Sequence, residues 1–476
     1  MKILHNILKK GLLTAVSGLL ILTSCKDDFP GEMDTSDKFT VLKSIKLMNA
    51  GANGNMVLEG VVDENKKMVS FPRIEPETDF SNLQFEAELS DGSKLDKDFY
   101  SVTFEEGQSE KTVVVKVVSE PRYREYLVNL RLRVPVYGAD FGKPTIYDYS
   151  ANPIGNPGYA AFAGLATRGS GFDGNHVLVV SRGSSGLHLL DVQDLKNNEI
   201  KPIAVNTTGM IGGTFTYNMG AQVNGRTYVA SLSTSQASPL KLYFWDDPSA
   251  APQVIADINV ASLAGAGTRH GDNFSIGLDG NGNGYAFFIS TGTQVIRLKI
   301  ANYNEVTETS VINTQTTYGQ WSSYNRIGNT ENYLVTGHDK PIAVASVSGS
   351  SSYTMGASSI PVHSGDPRVI EFNGERYLLV VTVPRGGAGA PDAVMRVYNI
   401  TRGRNIADAM TAFEQSDKIA VYEFAISGNT TIAPGTQSGY HVVKDAQGKD
   451  EKLMIYGASA DFGFTIVEFP VNVAED

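Results

Sequence analysis

Gly284-Tyr285-Ala286-Phe287-Phe288-Ile289-Ser290-Thr291-Gly292-Thr293-Gln294-Val295-Ile296-Arg297-Leu298-Lys299-Ile300 reads as a buried strand, a short polar turn and a second strand with alternating faces. A short apolar run, then Ser, Thr and Gly, then Val-Ile-Arg-Leu-Lys-Ile with period two, is the pattern of an antiparallel hairpin whose first strand is covered on both faces. Looser copies run from Val177 to Val192, Arg226 to Trp245, Tyr333 to Val347, Tyr377 to Ile400 and Leu453 to Phe469. Their apolar strands begin near residues 177, 228, 285, 333, 377 and 453, at steps of 51, 57, 48, 44 and 76. A propeller blade takes about 40–50 residues, so the chain is expected to build a six-bladed β-propeller, with seven blades as the alternative count.

Working outward, most copies are preceded by a further strand: Tyr217 to Val223, Phe274 to Leu278, Ser322 to Ile327, Arg368 to Phe372 and Tyr440 to Lys444. Some are followed by one, as at Gln253 to Ile258 and Val306 to Ile312. The long last step holds Ile406 to Gln415, where Ile406, Met410 and Phe413 recur at helical spacing, an inserted helix. The last module is one strand short, whereas Pro144 to Tyr149 stands alone before the first. That segment is expected to complete the last blade, because ring closure removes open sheet edges.

With 476 residues, 41% of them hydrophobic, and 48 glycines, the chain can bury more than one core, and Val, Ile, Thr, Tyr and Phe cluster between turn formers. The class is all-β. From about Val41 to Pro135 seven shorter strands are read: Val41 to Met48, Met56 to Val62, Met68 to Ile74, Leu83 to Leu89, Tyr100 to Phe104, Thr112 to Val118 and Glu125 to Val134. Their alternation, as in Phe85, Ala87 and Leu89 against Glu86 and Glu88, is that of a half-buried sandwich, and an immunoglobulin-like module is expected. The expected division is 1–24 signal peptide, 25–38 flexible tether, 39–136 Ig-like β-sandwich and 137–476 β-propeller.

Lys2, Lys9 and Lys10 precede an apolar run from Gly11 to Leu22, too short for a stable span and typical of a signal peptide. It ends in Leu22-Thr23-Ser24-Cys25, which resembles the lipobox of bacterial lipoproteins and implies that Cys25 is acylated and becomes the first mature residue. Cys25 is the single cysteine, so no internal disulfide competes for it. Lys26-Asp27-Asp28 is similar to the signal that sends Bacteroidetes lipoproteins to the cell surface. The two folded parts resemble the Ig-like spacers and uncharacterised propellers of Bacteroidetes surface lipoproteins associated with glycan utilisation. That resemblance implies a lipid anchor in the outer membrane, a glycan ligand, and an outer-membrane transporter or hydrolase as neighbour. The Gly-His and Trp-Asp signature of WD40 repeats and the Asp-box of sialidases are absent from the sequence.

Without residues 1–24 the chain holds 37 basic and 51 acidic residues, a charge near −14, and no Lys/Arg cluster. Nucleic acid is therefore not an expected partner. In a propeller, the loops between second and third strands and those between blades gather at one end of the channel. Here they carry Arg182, His338 with Asp339, Arg385, and Asp461 with Phe462, and then Tyr217, Arg269-His270-Gly271-Asp272, Tyr318 to Trp321, and His363 to Asp366. Arg182, Arg269 and Arg385 can clamp a carboxylate-bearing sugar or pair with loop aspartates. Trp321, with Tyr217, Tyr318, Tyr324 and Phe462, can stack on a pyranose or pack between blades.

The expected ligand set is Arg182, Tyr217, Arg269, Trp321, His338, His363, Arg385 and Asp461. If the scaffold were instead a polysaccharide lyase or glycoside hydrolase, His270, His338 and His363 with Asp272, Asp339 and Asp366 would carry proton transfer. The same histidines and aspartates can also simply cap turns. A third reading is a docking scaffold in an outer-membrane complex. No metal and no cofactor are expected, since no His-x-His pair occurs, and Asp279-Gly280-Asn281-Gly282-Asn283-Gly284 opens like a calcium loop but has Ser290 where its twelfth residue should be Glu.

Overall fold

The computed structural model describes residues 37–105, 108–133, 136–150, 154–235, 238–383, 393–428 and 435–473. The expected signal peptide, Cys25, most of the tether and Arg385 lie outside the described residues. The chain divides into two compact units, residues 1–134 and residues 135–475.

In the first unit seven strands, Leu42–Ala50, Met56–Asp63, Met68–Ser70, Phe85–Leu89, Lys94–Leu95, Glu110–Ser119 and Arg122–Arg131, form one hydrogen-bonded series in the order fourth, first, second, third, seventh, sixth, fifth. Residues 56–60 of the second strand pair with the first, and residues 61–63 pair with the third, so one strand serves both halves of the series. The two halves share a core of Leu42, Ile45, Leu47, Val69, Val115, Val117, Tyr126 and Val128. The third and seventh strands run parallel. Met68–Ser70 stops short of the expected Ile74 because Pro72 has no N–H to extend the ladder. Tyr100 to Phe104, expected as a strand, makes a single bridge, Tyr100 to Leu83.

The second unit is a six-bladed propeller of four-stranded antiparallel sheets. Blade 1 is Thr167–Phe172, His176–Ser181, Leu187–Asp191 and Pro202–Ala204, and blade 2 is Phe215–Val223, Arg226–Leu232, Leu240–Trp245 and Gln253–Ile258. Blade 3 is Ser275–Leu278, Gly284–Ile289, Gln294–Ala301 and Glu305–Asn313, and blade 4 is Ser322–Arg326, Asn332–Gly337, Lys340–Ser346 and Ser351–Thr354. Blade 5 is Ser364–Phe372, Glu375–Thr382, Ala393–Asn399 and Tyr422–Ile426. Blade 6 is Thr436–Lys444, Asp450–Ser459 and Gly463–Pro470, closed by Thr145–Tyr149, which pairs antiparallel with Gly463–Pro470. The early segment thus completes the last blade, as the strand count required.

First strands of successive blades touch all the way round, the sixth returning to the first, so they line the central channel. Second strands are apolar on both faces because each sheet is sandwiched between its neighbours: Val177 to Val180 and Ala286 to Phe288 are fully buried. Phe287 stacks on Tyr324 between blades 3 and 4, with centroids 4.2 Å apart, and Phe172 stacks on Tyr456 between blades 1 and 6 at 5.1 Å. Each such buried ring contributes about 1.5–3 kcal/mol.

The first strand of blade 1 escaped the sequence pattern because it is Thr-Arg-Gly-Ser-Gly-Phe. A Cβ on Gly169 would sit 2.7 Å from the backbone of Gly220, and one on Gly171 2.5 Å from that of Gln222, so the inner strands of blades 1 and 2 approach backbone to backbone. The expected helix is Ile406–Glu414, capped by Asn405, with Ile406, Ala409, Met410 and Phe413 buried. A five-residue helix, Val192–Lys196, follows the third strand of blade 1 and is too short to show a period.

Candidate functional site

At one end of the channel the turns between second and third strands meet the links between blades. Asp272, Asn273, Trp321, Ser323, His338, Asp366 and Gln437 line a narrow opening there. Beneath it lies a channel cavity of about 110 Å³, bordered by Ser170, Gln222, Ser275, Asp366, Arg368 and Ser438. Both amide atoms of Gln222 and the Ser323 hydroxyl are buried with no protein partner among the described residues. A cavity of this size is too small for a sugar ring, and its polar lining suits a few waters.

One side of the opening is built from guanidinium groups. Arg182, on the blade 1 turn after Ser181, donates to the Asn218 side-chain oxygen, and its guanidinium lies 3.6 Å over the Phe215 ring. Its Nε is buried without a partner among the described residues. Asn218 in turn donates to the Gly271 carbonyl, tying the turn to the blade 2–3 link. There Arg269 forks onto both carboxylate oxygens of Asp272, which holds the guanidinium pKa above its usual value. Arg168, unnoticed in the sequence, donates to the Leu165 carbonyl at 2.6 Å, and its own carbonyl accepts from Gln437 at 3.3 Å. Burial, and then the charge of Arg168, pushes Arg182 down to about 10; burial lowers Arg168 as well, with Asp272 opposing it. Three guanidiniums thus feel each other with one carboxylate among them.

The opposite side carries the histidines. His338, on the blade 4 turn, is buried; its Nε2 lies 2.9 Å from the Val383 carbonyl and its Nδ1 3.2 Å from Asp339 Oδ1. His363, in the blade 4–5 link, places its Nδ1 3.1 Å from the same Asp339 oxygen, and the two imidazoles stack with centroids 4.3 Å apart. His363 has φ +69°, a left-handed conformation rare outside glycine, and so does Asp366 at +46°. Trp321 meets the His338 ring edge to face at 6.3 Å and is partly exposed.

Other candidates are used up by the fold. His270 is fully buried, with Nδ1 2.9 Å from the Phe288 carbonyl, and its backbone bridges Ser233 to Ser290 across blades 2 and 3. It forms no dyad with Asp272, whose oxygens face Arg269. Asp366 accepts from the Ser438 amide at 2.6 Å, from Asn325 at 2.8 Å and from Arg368 at 3.2 Å, joining blades 4, 5 and 6. It does not face His363. Asp461 caps a turn, accepting from the Gly164 amide at 2.6 Å. Tyr318, Tyr324 and Phe462 are buried, leaving Trp321 and Tyr217 as partly exposed rings. Asp279 accepts from the amides of Asn281 and Asn283, both at 2.9 Å, and holds the hairpin turn of blade 3.

Two wider grooves, about 600 and 750 Å³, lie at the other end, among the turns joining first to second strands and beside the inserted helix. Their acids are engaged: Asp450 accepts from the Asn373 amide and Lys444, and Glu371 pairs with Arg376. The end with clustered guanidiniums, stacked imidazoles and a partly exposed Trp is the better candidate site.

Residues 27–472 match the family described as "Domain of unknown function (DUF4623)". A crystal structure of a DUF4623 family protein from Bacteroides eggerthii DSM 20697 is similar at 41% identity and a TM-score of 0.77, covering 91% of this chain and 99% of that one. The structure of BamB from Moraxella catarrhalis is matched at 8% identity and a TM-score of 0.30 over 65% of this chain and 84% of that one, a likeness too slight to bear on function. No curated protein matches the chain.

Proposed function

Since the chain belongs to the DUF4623 family, whose description assigns no activity, we propose its role from the site: a lipid-anchored surface protein whose propeller holds an acidic carbohydrate without turning it over. The observation that carries this reading is Arg182, a half-buried guanidinium whose Nε has no partner among the described residues, set beside Arg168 and Arg269, with Asp272 opposing them. Burying a cation beside like charges is unfavourable, and an arriving carboxylate or sulfate relieves it. The partly exposed face of Trp321 offers a stacking surface for a sugar ring. Because the channel is narrow, the ligand lies across the mouth. Against turnover stands the use of His270 and Asp366 as structural bonds.

The sequence supports the address: acylated Cys25, a tether and an Ig-like spacer would carry the propeller clear of the outer membrane, near a transporter or hydrolase that takes the polymer. The test is a panel of uronic-acid, sulfated and neutral polysaccharides run in native gels with the full chain, following mobility and new reducing ends or unsaturated products. Retardation by acidic polymers alone, weakened by salt and by Arg182→Gln, with no products, is expected. Products mean catalysis, and no retardation means docking; either overturns the reading. Cys25→Ala should move the protein out of the membrane fraction, and its retention there would remove the anchor.

A further inference from the structure

We infer that His338, Asp339 and His363 form a binding site for one divalent transition-metal ion of the zinc class. The site shares Trp321 with the carbohydrate reading but rests on other chemistry, and zinc content is read with no carbohydrate present, so the two can fail separately. The three side chains come from two loops and bring one ligand atom each to within 4.8 Å of one another. His338 Nδ1 and His363 Nδ1 lie 3.2 and 3.1 Å from Asp339 Oδ1, and His363 Nδ1 also lies 3.2 Å from the His338 carbonyl, so metal-free His363 carries its hydrogen on Nδ1 and moves it to Nε2 on loading. Two ligands of a tetrahedral zinc, each about 2.0–2.1 Å from the ion, stand about 3.3 Å apart, so both edges already have the separation that a shared ion sets.

The proton positions point the same way. The Val383 carbonyl can only accept, so the 2.9 Å contact requires the hydrogen of neutral His338 to sit on Nε2. Nδ1 is then a lone pair, and it faces a carboxylate oxygen, another lone pair, at 3.2 Å. A second proton on His338 or a metal cation between the two atoms reconciles that contact, and zinc loading distinguishes them. A backbone carbonyl that fixes the tautomer and aims the other nitrogen is the usual support of a metal-ligating histidine. The Trp321 ring against His338 covers one flank of the site. Two imidazoles and one carboxylate favour zinc, nickel or copper over calcium or magnesium, and three protein ligands leave one position open for water or a ligand group.

The measurement is equilibrium dialysis of the full chain, stripped with a chelator, against zinc chloride, with metal content and melting temperature as readouts. His338→Ala would also orphan the Val383 carbonyl, so the informative variants are His363→Ala and Asp339→Asn, whose side chains are 32% and 55% exposed. Expected are about one equivalent of zinc, a rise in melting temperature on loading, and binding weakened by about tenfold or more in each variant while their metal-free melting stays near that of the parent. Cobalt in place of zinc should quench Trp321 fluorescence in the parent and not in His363→Ala, with Trp321→Phe separating out the signal of Trp245. Absence of stoichiometric zinc, zinc held equally by both variants, or calcium bound in its place overturns the site.

Discussion

Asp148 and Thr465, 317 residues apart in the chain, share a hydrogen bond: the Thr465 hydroxyl donates to Asp148 Oδ1 at 2.8 Å, and neither residue is exposed. They face each other in the register that zips Thr145–Tyr149 onto Gly463–Pro470, with the Tyr149 ring stacked on Phe464 at 5.1 Å. The strand before blade 1 therefore closes blade 6. Thr465→Val removes a hydrogen bond to a buried carboxylate and should lower stability by about 1.5–3 kcal/mol in urea unfolding. Removing residues 145–149 should lose the cooperative transition, with partial recovery when a peptide of that sequence is supplied. An unchanged midpoint in both variants would show that the ring closes without this strand.

Asp366 was a candidate base, and its geometry makes it a joint instead. Its carboxylate takes the Ser438 amide and hydroxyl, Asn325 and Arg368, four donors from three blades. Asp366→Ala strands those donors and is expected to lower stability by about 3 kcal/mol, seen as a fall in the urea midpoint. If instead the midpoint holds while retention of acidic polysaccharide is lost, Asp366 belongs to the ligand site.

What the sequence made legible follows from where burial lies. Second strands are covered on both faces, so Val177 to Val180 or Ala286 to Phe288 stand out as apolar runs, and their hairpin partners are close in sequence. The closing strand was legible as an unpaired run at one end and a deficit at the other. The Gly-rich first strand of blade 1 was not, because packing there is backbone on backbone and leaves no apolar pattern. Of the site, the loops could be named but not their partners. Whether His270 meets Asp272 or the Phe288 carbonyl depends on side-chain direction, and His363, which reaches Asp339, stands on a backbone of positive φ that the sequence does not announce. Arg168 carried no signal beyond standing next to a glycine.

His270 sets a pH dependence. Burial holds its pKa below the usual value against the opposing pull of Asp272, the Phe288 carbonyl occupies Nδ1, and Nε2 has no partner among the described residues. The unfolded chain takes up this proton near the ordinary histidine value, about 6.5, and the folded chain resists it. The stability His270 contributes is therefore complete above that value and is lost as pH falls through the lower folded one. Urea midpoints should drop between about pH 7.5 and about pH 5.5, and drop less in His270→Gln. Buried His188 and half-buried His441 are lowered in the same direction, so the slope shrinks without vanishing. An identical slope in His270→Gln would take this residue out of the acid response.

Two glycines separate the packing of the axis from the freedom of the rim. A methyl on Gly171 would meet the Gln222 amide nitrogen at 2.5 Å and the Ala221 backbone at 2.9 Å, and backbone cannot rotate aside as a side chain can. On the blade 3 turn, Gly280 has nothing within 4 Å of that position and no positive φ. Gly171→Ala must push blades 1 and 2 apart at the axis, where every displacement is passed round a closed ring, and is expected to lower stability by about 1–3 kcal/mol. Gly280→Ala should be neutral or slightly stabilising, because it restricts only the unfolded chain. Equal urea midpoints for the two variants would mean that the first strands tolerate a wider channel, and that the close approach of blades 1 and 2 does not set the diameter of the ring.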